Sequence, residues 1–258
     1  MTITNTVKHK YSLEHLAPAG RIGLIALATD FNIEQDLRRF CPNDVEIFTS
    51  RVRNINPLTI ENLRSMAPRI SATADTLLPG TDLDAIIYAC TSGAIAIGSE
   101  HITELVHQVR PNVTVINPVS AALAAFEQLQ AKRISILTPY TAAVNTEVAA
   151  FFESKGYEVL SITGFGFEDD TEMTYISVQD IAEAAIETCA PDADLLFVSC
   201  TALRVSLVIE QIEKQIKKPV VSSNQALAWQ SLQALAYKEP VDGFGQLMKQ
   251  TATQGEAL

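Results

Sequence analysis

Two cysteines, Cys90 and Cys200, stand in matching contexts. The first follows Asp84-Ala85-Ile86-Ile87-Tyr88-Ala89 and leads into Thr91-Ser92-Gly93. The second follows Asp194-Leu195-Leu196-Phe197-Val198-Ser199 and leads into Thr201-Ala202-Leu203. A buried thiol is by default a small apolar group. A thiol at the start of a helix instead meets backbone amides that favour thiolate. The amides that follow each cysteine, Thr91-Ser92 and Thr201-Ala202, are suited to hold an oxyanion or a carboxylate. Two thiols across one cleft fit proton transfer at carbon, or thiolate addition to an activated double bond.

No other group competes strongly for the chemistry. His101 and His107 are six apart on a predicted helix and point to nearly opposite sides; His9 and His15 lie in a polar N-terminal segment. Glu168, Asp169, Asp170 and Glu172 read as a solvated acidic loop rather than a metal site. Cys41, before Pro42, and Cys189, near a predicted helix end, read as structural. There is no Cys-x-x-Cys and no Gly-x-Ser-x-Gly, and Gly164-Phe165-Gly166 and Gly243-Phe244-Gly245 do not complete a dinucleotide fingerprint. Neither a metal nor a cofactor is expected.

The elements around the cysteines alternate strand and helix. Arg21 to Ala28 reads as a first strand, Ile33 to Phe40 as a helix, and Asp44 to Thr49 as a strand. A helix is predicted from about Thr59 to Thr76, then the Cys90 strand, a helical region to Arg110, a strand at Val113 to Ile116 and a helix from Val119 to Gln130. The pattern then restarts: Arg133-Ile134-Ser135-Ile136-Leu137 echoes Arg21-Ile22-Gly23-Leu24-Ile25. After a turn at Thr138-Pro139-Tyr140 come a helix from Ala142, a strand at Tyr157 to Ile162, a Gly- and acid-rich loop at Gly164 to Glu172, and a helix from Val178. The Cys200 strand is followed by a helix from Leu203 to Ile216, a strand at Pro219 to Ser222 and a last helix from Gln225. Such alternation predicts an α/β chain of two pseudo-symmetric, doubly wound parallel-sheet domains, with each cysteine at a strand end where open sheets bind ligands. The expected division is a tail at 1–19, a first domain at 20–118 plus 224–258, and a second at 119–223.

At 258 residues and 47% hydrophobic, the chain can bury a full core. A net charge of -11 argues against nucleic acid or an anionic membrane as partner. No run approaches the roughly 18 apolar residues of a membrane span, and Met1 to Ala19 lacks the apolar centre of a secretion signal. A cytoplasmic homo-oligomer is expected, its tail serving as a possible contact arm.

Five motifs carry a family resemblance: Arg21-Ile22-Gly23-Leu24-Ile25, Ala89-Cys90-Thr91-Ser92-Gly93, Thr138-Pro139-Tyr140, Ser199-Cys200-Thr201-Ala202-Leu203-Arg204, and Ser222-Ser223-Asn224-Gln225-Ala226-Leu227-Ala228-Trp229. From Arg21 onward the chain resembles the aspartate/glutamate racemase superfamily. The branch it looks most like holds maleate cis-trans isomerase, arylmalonate decarboxylase and the ectoine-utilisation proteins. The resemblance implies a cofactor-independent enzyme with one site in the cleft between its domains. It implies Cys90 and Cys200 as the active-site pair, Thr91, Ser92 and Thr201 as anion-binding segments and Tyr140 as a pocket tyrosine; Ala202 and Asn224 are expected with them among the substrate-binding residues. Arylmalonate decarboxylase keeps only the second cysteine, so a pair fits a racemase or isomerase better.

The chain departs from the maleate isomerase pattern at Asp30, in Ala28-Thr29-Asp30-Phe31. Maleate isomerases carry an Asn there that grips a substrate carboxylate, and amino-acid racemases of the superfamily an Asp. A carboxylate repels a second carboxylate and suits an ammonium or amide N–H. The alternative is that Asp30 caps the helix predicted from Ile33. The expected substrate is a small, amino-acid-like carboxylate of the ectoine-utilisation type. Maleate isomerisation, arylmalonate-type decarboxylation and a non-catalytic binding module are the alternatives.

Overall fold

The computed structural model of the chain describes residues 3–14 and 16–251. Met1, Thr2 and His15 of the expected tail, and positions 252–258 of the expected first domain, lie outside the described residues.

Apolar runs bounded by polar residues become parallel strands, buried throughout in the two cysteine strands and more exposed at the sheet edge. In the first half these are β1 (Gly20–Leu27), β2 (Val45–Val52), β3 (Ala85–Ala89) and β4 (Thr114–Ile116), in the order β2-β1-β3-β4. In the second they are β5 (Arg133–Tyr140), β6 (Glu158–Phe167), β7 (Leu195–Val198) and β8 (Val220–Ser222), in the order β6-β5-β7-β8. The two sheets share one topology, and all six strand pairs are parallel. The Asp before each cysteine strand does the same work twice. Asp84 accepts the Arg21 amide at 2.7 Å and Asp194 accepts the Arg133 amide at 2.8 Å, setting the register of β3 on β1 and of β7 on β5.

Helices cover the sheets. In the first half they are α1 (Ile33–Phe40), α2 (Ile60–Arg64), α3 (Ala67–Asp75), α4 (Thr91–Ile97) and α5 (Ser99–His107), followed by α6 (Pro118–Gln128). In the second they are α7 (Ala142–Ser154), α8 (Asp170–Met173), α9 (Val178–Thr188) and α10 (Ile209–Ile216), followed by α11 (Ser223–Ala234). The helix after β8, α11, packs on β3, β4 and α1 of the first half. Conversely Phe126 of α6 sits 5.4 Å from Phe197 of β7 and 5.6 Å from Phe152 of α7. The two long helices also pack on each other, locking the halves together. Among the described residues no helix is long and apolar enough to cross a membrane.

Several elements differ from the sequence reading. The helix expected from Thr59 to Thr76 is two, because Pro68 lacks the N–H a helix interior needs and instead opens α3. The region after Cys90 breaks at Gly98, whose φ of 96° ends α4. The expected turn at Thr138 is strand: β5 runs on through Tyr140, its pairing to β6 shifting register around Pro139. Likewise β6 continues through the predicted glycine-rich loop to Phe167. The helix expected from Leu203 starts only at Ile209, after a 3₁₀ turn at Val205–Leu207. There the carbonyls of Thr201 and Leu203 bond to side chains instead of helical amides.

Candidate active site

In each half the chain leaves the first and third strands toward opposite edges of the sheet, which makes their carboxyl ends the switch point. Asp30 follows β1 and Cys90 follows β3; Tyr140 ends β5 and Cys200 follows β7. The two switch points face each other and enclose one small cavity. Its lining is Leu27, Asp30, Leu58, Cys90, Thr91, Ser92, Tyr140, Asp170, Cys200, Thr201 and Ala202. The cavity is narrow and lined by buried residues, with about 20 Å³ of room, enough for a single water. A wider surface hollow of about 520 Å³, between Asp75 and Val113, holds no cysteine.

Cys90 is the N-cap of α4, and its sulfur accepts the Gly93 amide at 3.3 Å. Gly93 permits this approach: a Cβ there would lie 2.8 Å from the sulfur and 2.8 Å from the Tyr88 hydroxyl. The Ser92 hydroxyl lies 3.9 Å from the same sulfur. Cys200 differs. It begins a turn rather than a helix, with φ of 114°. Its sulfur accepts the Ala202 amide at 3.4 Å, and its own amide donates to Ser223 Oγ at 3.0 Å. Ser223 Oγ is also 2.9 Å from Thr91 Oγ1, which ties the two cysteine turns together. The Tyr140 hydroxyl bonds to both the Cys200 sulfur and Ser92. Asp30 accepts the amides of Asn32 and Ile33 through Oδ1, at 2.7 and 2.9 Å, and the Thr201 hydroxyl through Oδ2 at 2.7 Å. It therefore caps the start of α1 and also walls the cavity.

The arylmalonate decarboxylase family profile matches residues 22–248. The chain belongs to that family. It is an enzyme, of the branch to which its motifs point. Maleate isomerase of Nocardia farcinica is 24% identical over 244 residues, 89% of this chain and 96% of that protein. Arylmalonate decarboxylase of Bordetella bronchiseptica is 29% identical over 180 residues, 67% of this chain and 70% of that protein. The solved structure of the Nocardia farcinica maleate cis-trans isomerase, in a Cys-to-Ser variant with a covalently bound succinylcysteine intermediate, superposes with a TM-score of 0.82 at 21% identity, covering 90% and 99% of the two chains. The fold is thus the two-sheet fold of the arylmalonate decarboxylase family.

In this family member the electrostatics of the cavity depart from the sequence reading. Both thiols are pushed up to about 12, chiefly by burial. One amide donor per sulfur does not offset the loss of water, so the expected thiolate-favouring effect loses. The charges of Asp170 and Asp30 raise Cys90 further; those of Asp30 and Cys90 raise Cys200, while the Tyr140 hydroxyl lowers it. Asp30 itself is raised by burial, against the pull of its hydrogen bonds and of Arg51. Arg51 stands outside the lining, donating to the carbonyls of Leu27 and Asp30 at 3.1 and 2.9 Å and pairing with Glu34.

Eight of the nine residues expected at the site, Cys90, Cys200, Asp30, Thr91, Ser92, Tyr140, Thr201 and Ala202, come together in the lining. Asn224 stands elsewhere. It sits behind Thr201, its amide taken by the Thr201 carbonyl at 2.8 Å and by Asp36 at 2.9 Å. Asp170 corrects the reading of the acidic loop as solvated. It is buried, lines the cavity, and accepts Thr29 Oγ1, Asn54 Nδ2 at 2.6 Å and Asn56 Nδ2 at 2.8 Å. Its neighbour Asp169 caps α8. A signal for Asp170 existed only in its place after the strand β6, opposite the Asn54-Ile55-Asn56 loop.

Proposed function

We propose that the chain is a two-cysteine isomerase that inverts a carbon centre α to a carboxylate, on a small amino-acid-like substrate of the ectoine-utilisation type. The observation that supports this reading is the composition of one narrow cavity: two thiols, two carboxylates, and no lysine or arginine in the lining. A dicarboxylate entering it meets Asp30 and Asp170; an ammonium or amide N–H is matched by them. Binding such a group cancels charge that raises both thiols, so the ligand itself eases formation of the thiolate.

In the reaction one thiolate takes the α-proton and becomes a thiol. The electron pair left on carbon moves into the carboxylate, giving an enediolate. The opposing thiol delivers its proton to the other face and becomes the thiolate. Amides of Thr91, Ser92 and Thr201 stabilise the enediolate, and Tyr140, its hydroxyl held neutral by burial, donates to the Cys200 sulfur.

A second reading is favoured by the relatives. In cis-trans isomerisation the Cys90 thiolate adds to a double bond, the resulting single bond rotates, and the thiolate leaves again. The succinylcysteine in the Nocardia farcinica structure is an intermediate of that kind. Proton NMR in heavy water separates the readings, with maleate, aspartate, glutamate and acetylated diaminobutyrates as the panel. The expected result is deuterium at the α-carbon of an amino-acid-like compound. Conversion of maleate alone supports the second reading, and a panel without exchange or conversion leaves a binding module.

A further inference from the structure

We propose that Asp36, in the first half, is a positioning residue for Cys200 in the second: through Asn32, Asn224 and Ser206 it holds the Cys200 turn against Cys90. The inference concerns how the turn is held and stands whichever reaction the thiols perform.

The turn needs outside support. Cys200 has φ of 114°, a region that residues with a side chain adopt only when their surroundings impose it. The following residues form no α-helix until Ile209, so Thr201 O and Leu203 O lack α-helical partners, although Leu203 O also accepts the Val205 amide at 2.9 Å. Their side-chain partners come from the first half and from α11. Thr201 O accepts Asn32 Nδ2 at 3.0 Å and Asn224 Nδ2 at 2.8 Å, and Leu203 O accepts Asn32 Nδ2 at 3.2 Å.

Asp36 orients these donors. It is fully buried on α1. Its Oδ2 accepts the same two amide nitrogens, Asn32 at 3.0 Å and Asn224 at 2.9 Å, while Oδ1 accepts Ser206 Oγ at 2.6 Å and Arg39 at 3.1 Å. An asparagine amide carries two N–H groups on one side and an acceptor on the other. Burial raises the Asp36 carboxyl, against the pull of its hydrogen bonds and of Arg39; with four donors aimed at its two oxygens it serves as an acceptor, and each amide turns its nitrogen inward, where the second N–H reaches the Thr201 carbonyl. Without that acceptor either amide can rotate by half a turn and set its oxygen against the carbonyl it now supports.

The pseudo-symmetric half has no such hub. Asp36 is the fourth residue of α1, and the fourth residue of α7 is Asn145. Its Oδ1 accepts Thr138 Oγ1 at 2.6 Å, within its own half. Cys90 needs no hub, since at φ of -150° it is an ordinary N-cap. The asymmetry places the Asp36 cluster with the one cysteine whose backbone requires it.

The test uses the full chain and reads each cysteine separately. Asp36→Ala, Asp36→Asn and Asn224→Ala are pulsed with iodoacetamide, and alkylation at Cys90, Cys200 and Cys41 is followed by peptide mass spectrometry. Cys41, buried at the end of α1, reports loosening of the first half. The expected result is a tenfold or greater rise at Cys200 relative to Cys41 and Cys90 in Asp36→Ala, and a smaller selective rise in Asn224→Ala. Asp36→Asn retains one oxygen for the two amides and restores most of the protection. An equal rise at all three cysteines, or an unchanged Cys200, overturns the proposal. Should Asp36→Ala fail to fold, Asn224→Ala alone decides by the same criterion.

Discussion

Replacing Asp30 by Asn removes one charge from the cavity wall and keeps its shape. An Asn Oδ1 still accepts the Asn32 and Ile33 amides, so the start of α1 stays capped. At the other branch, the Thr201 hydroxyl, which now donates to Oδ2 at 2.7 Å, can turn and accept instead. An ionised carboxylate about 4 Å from a substrate carboxylate raises its energy by about 4 kcal/mol at an effective dielectric near 20, and lowers that of an ammonium by as much. Asp170 remains in the wall, and water admitted with the ligand screens part of the effect. We therefore expect Asp30→Asn to shift the ratio of kcat/KM for maleate over kcat/KM for an amino-acid-like substrate by about 100-fold toward maleate, a change of about 2.7 kcal/mol. Both constants are measured in both proteins. If the wild type already turns over maleate efficiently and the ratio does not move, Asp30 is only a helix cap and the charge argument fails.

Two further outcomes follow from the same geometry. Cys90→Ser and Cys200→Ser should each lower turnover by at least a thousandfold, because a hydroxyl in that buried cavity ionises far less readily than a thiol; steady-state rates near wild type in either variant count against two-thiol chemistry. Stability should carry the sign of the raised Asp30 carboxyl: its contribution is fully present below the unfolded value of 3.8 and is lost as pH rises through the higher folded value. Asp30→Asn escapes that loss, so its Tm relative to wild type should be higher at pH 7 than at pH 3, as read by thermal melts across that window.

The strands and their parallel, repeated arrangement were legible because buried parallel strands are continuous apolar runs, and the Asp at the head of each cysteine strand marked the repeat; the order of the strands in each sheet was not. The thiol pair and Asp30 were legible for the same reason, since each stands just past a strand end, whereas Tyr140, read as part of a turn, was named only through the family resemblance. What escaped depends on partners distant in sequence. Asp170 reads as one acid among several until Thr29, Asn54 and Asn56, more than a hundred residues earlier, fold over it. Asp36, beside Glu34, Arg38 and Arg39, reads as part of a charged helix face, yet it is fully buried. The state of the thiols escaped as well. The amide of a following residue is visible in sequence, but the exclusion of water that outweighs it is a property of the narrow cavity.

Repetition of one topology explains why two thiols meet, but not why they differ. A pair of like sheets brings two switch points together, and each contributes a cysteine after its third strand. From there the surroundings diverge. Cys90 sits on a regular helix cap, with Gly93 behind it and two carboxylates raising it. Cys200 sits on a turn of positive φ, with Tyr140 as donor and the Asp36 cluster bracing its backbone from the other half. A reaction that moves a proton from one face of a carbon to the other needs one base and one acid at any moment. Two thiols in identical settings would share a single proton affinity, and the direction of transfer would rest on the substrate alone. Unequal settings let a bound ligand act differently on the two sulfurs: both thiols are pushed up to about 12 by burial, but Ser92 is the side-chain donor that lowers Cys90 and Tyr140 the one that lowers Cys200, and the charge of Asp170 is among those raising Cys90.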